Sequence, residues 1–172
     1  SGLALMAFLG SGSQSKNYAD NIQRAINFIK SKYHPASKYP AGSKEEAYFG
    51  GLMGQLKDNI MYEHAIAVLA FSEALVSLDD ASLEPFIEDG IQVIVRTQNT
   101  EEKPPLLGGP VKPDSRAYGG WRYEPDSLDA DISVTGWQVL ALKAAMNAGF
   151  KIPDPCLPKA AQFVRNCHNK SK

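Results

Sequence analysis

The sequence predicts an all-α fold of three αα-hairpins in a row, and three observations carry that prediction. Two families of helical segments alternate along the chain, their hydrophobic patterns differ, and the connections between hairpins repeat a Gly-Gly pair. The first family reads Leu3–Leu9, Ile66–Ser72 and Gln138–Ala144. The second reads Ala25–Lys30, Gly90–Val95 and Ala160–Arg165. They alternate with a period of about 65 to 71 residues, in the range of repeat architectures.

The second family is amphipathic. Ile22, Ile26 and Ile29 share one helical face and leave Gln23, Arg24, Asn27 and Lys30 elsewhere; Ile87, Ile91, Ile94 and Val95 repeat the pattern against Glu88, Gln92 and Arg96. The first family is apolar nearly all round: Ala65–Phe71 has no charged residue, and Val134–Leu142 holds only Thr135 and Gln138 as polar side chains. Helices apolar on every side are buried on several sides. An inner layer of the first family and an outer layer of the second follow. Hairpins are expected at 1–32, 62–98 and 131–168 in a single domain spanning 1–172, with long loops at 33–61 and 99–130. The loops carry Tyr48-Phe-Gly-Gly-Leu52 and Ala117-Tyr-Gly-Gly-Trp121, and loops of this length are uncommon unless structured or functional. The chain stops in Lys170-Ser-Lys172, where a third such loop is expected to begin.

Composition narrows the partners. The 172 residues carry 18 basic and 19 acidic side chains, a net charge of -1, and such a balance does not favour a phosphate backbone. No apolar run reaches the ~20 residues of a membrane-spanning helix, so no transmembrane segment is expected. Leu3–Leu9 lacks the basic flank of a secretion signal. Along a mostly helical segment, Cys156 and Cys167 would lie roughly 15 Å apart at ~1.5 Å rise per residue, too far for a disulfide. That leans to a reducing compartment, while localisation stays open.

Gln98, Gly119-Gly120-Trp121-Arg122-Tyr123 and Asp131-Ile-Ser-Val-Thr-Gly-Trp137 together resemble the repeat shared by squalene–hopene cyclases, oxidosqualene cyclases and protein prenyltransferase β-subunits. The likeness is greatest to uncharacterised bacterial proteins with prenyltransferase and squalene-oxidase repeats. It implies an α/α toroid, of which three hairpins form about half, with inner helices around a cavity. It also implies that Gln98, at the end of an outer helix, packs on Trp121. Tyr33 stands for the glutamine and Leu52 for the tryptophan in the first hairpin; His168 stands for the glutamine in the third.

The cyclases of that family protonate an alkene from an Asp-x-Asp-Asp run, and Asp129-Ala-Asp131-Ile132 occupies that place with Ile132 where the last aspartate stands. Asp131 and Asp129 are therefore the candidate catalytic pair, and an N-cap on the following helix is the other reading of Asp131. Trp121, Tyr118 and Tyr123, in the long loop, and His64, on an apolar helix, are the candidate ligand-binding residues. His34, His64 and His168 are scattered, Cys156 and Cys167 have no matching partners, and no metal or cofactor is expected. The run from Glu124 to Asp131 has oxygen ligands but not the glycine and distal glutamate of an EF-hand loop. The expected function is a non-catalytic interaction or scaffold module. The alternative is an isoprenoid- or other apolar-ligand-binding domain with terpene-cyclase-like chemistry. Self-association, or docking on the remainder of a longer chain, is expected from the apolar faces that three hairpins leave exposed.

Overall fold

The structure is a computed structural model describing residues 2–55 and 58–169, with the backbone alone at 13–15 and 169. The expected loop start at Lys170–Lys172 lies outside the described residues. The described residues are mostly helical, 62% helix against 2% strand, so the all-α class holds. The helices are α1 (Gly2–Leu9), α2 (Ala19–Lys30), α3 (Lys44–Phe49), α4 (Ile60–Leu78), α5 (Glu84–Thr97), α6 (Ile132–Asn147) and α7 (Cys156–Asn169). The first segment family falls in α1, α4 and α6, the second in α2, α5 and α7.

Helix α4 is the centre of the core. It packs against α1 on one side, α6 on the other, and α5. Ala65, Ala67, Ala70 and Ala74 are all buried on it, and such short side chains let neighbouring helices approach closely. Phe71 and Val68 fill the remaining space, each fully buried side chain of this size contributing about 1.5–3 kcal/mol. Among the described residues α4 is the one helix long and apolar enough, by length and composition, to cross a membrane. It was not expected from runs of consecutive apolar residues, because Glu63, His64 and Glu73 interrupt it. Its packing is that of a core helix, mostly buried inside the fold.

Helix ends follow local chemistry. The chain leaves α4 through Asp79 in the left-handed region, and the Asp80 side chain accepts from Ser82 N at 3.1 Å in the turn before α5. Pro85 stands in the first turn of α5, where its missing N–H costs nothing. Gly149, at φ +97°, ends α6.

The segment 33–61, expected as loop, holds regular structure. β1 (Tyr33–His34) pairs antiparallel with β2 (Leu52–Met53), Tyr33 opposite Met53. Between them α3 begins at Ser43, whose hydroxyl accepts from Glu46 N at 3.0 Å, a Ser-x-x-Glu start legible in the sequence. In 99–130 the helical content is one turn, Pro105–Leu107.

The two Gly-Gly crossings make matching bonds. Gly51 N donates to His34 O, and Gly119 N to Asn99 O, both at 2.7 Å. Two residues on, Met53 N donates to His64 Nδ1 at 3.0 Å, and Trp121 N to Thr135 Oγ1 at 3.1 Å. On these bonds Tyr33 stands opposite Gln98, and Met53 rather than Leu52 stands opposite Trp121. Taken in order the glycines would pair Gly50 with Gly119; the backbone bonds pair Gly51 with Gly119, one residue later.

Candidate functional site

The best-defined part of the expected site is the end of the long loop, where the chain enters α6. The Asp131 carboxylate accepts from Ser133 N at 2.8 Å, Val134 N at 3.1 Å and the Ser133 hydroxyl at 2.5 Å. It is the N-cap of α6, using donors the helix leaves unpaired. The Ser133 hydroxyl, together with these backbone donors and Arg122, holds the Asp131 carboxyl below its ordinary range. Asp129 points another way: it pairs with Arg122 at 3.0 Å and accepts from Ala130 N at 2.8 Å. The two carboxylates do not share a proton, and that of Asp131 is stabilised as the anion. Alkene protonation needs the opposite, a carboxylic acid kept neutral by desolvation or a second carboxyl group. Ile132, between Asp131 and Ser133, is exposed.

Three of the four expected ligand contacts are committed within the fold. Trp121 is 1% exposed, and its indole Nε1 donates to Ile94 O on α5 at 2.7 Å. The expected ligand-contacting side chain is therefore a core side chain. Long-loop membership suggested exposure, but the loop folds back over the end of α5. Gln98 does reach this crossing: its Nε2 donates to Gly119 O at 2.9 Å and to Cys156 O at 3.0 Å, tying α5, the loop and α7 together. Tyr118 is buried too, its hydroxyl donating to Glu101 at 2.7 Å, with Lys159 bridging Glu101 and Glu102. His64 is fully buried; Nδ1 accepts from Met53 N, and Nε2 lies 3.0 Å from Gly90 O, which accepts its proton. Burial pushes its pKa down to about 4, so it is a neutral core histidine with both ring nitrogens used.

Tyr123 alone stays part-exposed. Its ring stacks on Tyr62 at 5.9 Å and lies under Arg122 at 4.8 Å, while the Tyr62 hydroxyl bonds to the Ser133 hydroxyl. The structure thus brings Asp131, Asp129 and Tyr123 together through Arg122, Ser133 and Tyr62, and leaves His64, Trp121 and Tyr118 elsewhere. Tyr62 was not singled out in the sequence, and its place one turn into α4 is the signal that was available.

The acidic run disperses in the same manner. Glu124 accepts from Tyr48 Oη at 2.6 Å and Asn59 N at 3.1 Å, and Asp126 lies 3.8 Å from Lys44. Among the described residues no three His, Cys, Asp or Glu side chains group to hold a metal ion. One buried ion was missed: Lys103, whose Nζ donates to Asn99 Oδ1 at 2.8 Å and Ser127 O at 2.6 Å, with burial pushing its pKa down to about 8. Its local sequence, Glu-Glu-Lys-Pro-Pro, has no apolar pattern to signal burial. No disulfide joins Cys156 and Cys167. Scans of this chain against family models, curated proteins and solved structures found no match.

Proposed function

We propose that this chain is a non-catalytic interaction module of the squalene-cyclase and prenyltransferase repeat type, an arc of an α/α ring that associates with a second copy of itself. The observation that carries the proposal is the set of large apolar side chains exposed on its central helices. Leu3 on α1, Val76 on α4 and Leu140 on α6 are 54%, 64% and 52% exposed, on helices packed side by side. Met146 and Ile132 extend the apolar surface of α6. Apolar surface on adjoining elements marks association. The matching bonds of the two Gly-Gly crossings support the repeat reading.

The alternative, an isoprenoid-binding domain with cyclase chemistry, draws on the same apolar face. It has no proton donor at Asp131, which is an ionised cap at neutral pH.

The test is a pair of surface variants, Val76→Lys and Leu140→Lys, compared with the wild type by sedimentation velocity. Both positions are exposed, so helical content is expected to stay constant while association is lost. Association unchanged in both variants would rule out this face as the contact.

A further inference from the structure

Met53 and Trp121 occupy matching places, but their side chains take different directions. The indole of Trp121 lies against the outer helix that precedes it, Nε1 donating to Ile94 O. Met53 reaches toward the outer helix that follows: a Cβ built at Gly90 of α5 would lie 3.1 Å from its terminal methyl. The space beside the preceding outer helix α2 is therefore not filled by Met53. A pocket of about 260 Å³ lies there, lined by Leu3, Phe28, Ile29, Met53, Ile66 and Ala67. Ile29 stands four residues before Tyr33, as Ile94 stands four before Gln98. Its carbonyl accepts from Lys32 N at 2.9 Å, and a carbonyl has a second lone pair.

We propose that this pocket binds a small, neutral, indole-class molecule, its ring lying beside Met53 where the side chain of Trp121 lies one hairpin later, and its N–H donated to the Ile29 carbonyl. The size fits: drug-sized ligands take roughly 300–1,000 Å³, and this pocket is smaller. Lys32 and Glu63 also line it, and this balanced pair fits a neutral ligand. Lys32 sits over the Phe28 ring at 5.4 Å, and the Glu63 carboxylate, already accepting from Gln55 N at 2.7 Å, disfavours a second anion. The proposal rests on the matched bonds of the two crossings; of the residues placed in the association face only Leu3 also lines the pocket, so a monomeric protein leaves the proposal standing.

The test is an NMR titration of the isotope-labelled chain with indole and with N-methylindole. Saturable shifts are expected at Ile29, Lys32, Gly54 and Ile66, with N-methylindole weaker by about 2- to 10-fold for the lost hydrogen bond. Met53→Trp is expected to remove binding by filling the pocket. Phe28→Ala, at an exposed position the fold tolerates, is expected to weaken it several-fold. Absence of saturation, equal binding of N-methylindole, or an unchanged affinity in either folded variant would overturn the proposal.

Discussion

Gly119 is the position where a single methyl group should do the most damage. Its φ is +85°, a region costing an L-residue roughly 1–2 kcal/mol. The second cost is contact. A Cβ there would lie 2.1 Å from Lys159 O and 2.6 Å from Lys159 C, backbone atoms in the first turn of α7. Non-bonded carbon contacts sit near 3.5–4.0 Å, so α7 must retreat by more than an ångström. That retreat stretches the Gln98 bond to Cys156 O, now 3.0 Å, and loosens the Gly119 N bond to Asn99 O. Overpacking of this kind costs about 1–3 kcal/mol, and with the backbone strain Gly119→Ala should lose ~2–5 kcal/mol. In a chain of this size that lowers Tm by on the order of 10 °C. Gly149→Ala is the control: its φ is +97°, and nothing lies within 4 Å of its built Cβ, so only the conformational cost remains. Urea denaturation followed by circular dichroism measures both. A Gly119→Ala variant no less stable than Gly149→Ala would refute the close approach of the loop to α7.

Three further outcomes follow from named contacts. His64 has a folded pKa of about 4 against an ordinary 6.5, so the unfolded chain binds a proton first as pH falls. Stability is unaffected by this group above pH ~6.5, falls through the window down to about pH 4 by up to ~3 kcal/mol, and His64→Gln should flatten that part of the profile; an unchanged profile would contradict the buried neutral ring. Asp131→Asn should keep the fold and lose about 1 kcal/mol or less, since asparagine also caps, whereas Asp131→Ala should lose ~1 kcal/mol or somewhat more in a thermal melt. Trp121→Phe removes the donor to Ile94 O, which still accepts from Thr97 Oγ1 at 3.2 Å, so the loss should stay near ~1 kcal/mol plus the ring difference; a loss above ~4 kcal/mol would mean the indole is doing more than this bond and its packing.

Much of the helical framework was legible because periodicity is a local signal. Ile22, Ile26 and Ile29 declared the buried face of α2, and Ile87, Ile91 and Ile94 that of α5, and all six are buried. The candidate site was less legible because burial in a loop is decided by what the loop folds onto. Trp121 and Tyr118 carry no periodic pattern, yet both are buried once the loop closes on α5 and α7. The register of the first crossing is hidden in the sequence for a related reason. Glycines align by identity in a sequence, but the left-handed residue that meets the next outer helix is the second glycine at Gly51 and the first at Gly119. His64 and Thr135 then occupy the same role with unlike side chains, each accepting a backbone N–H from the crossing, and no substitution rule would have paired them. Asp131 was legible in both of its readings, and its geometry is that of the cap.

Light scattering across a dilution series of the wild-type chain tests the central claim most directly. The exposed face of α1, α4 and α6 predicts a mass of two chains at higher concentration that falls toward one on dilution. One chain's mass at every concentration would contradict self-association through that face.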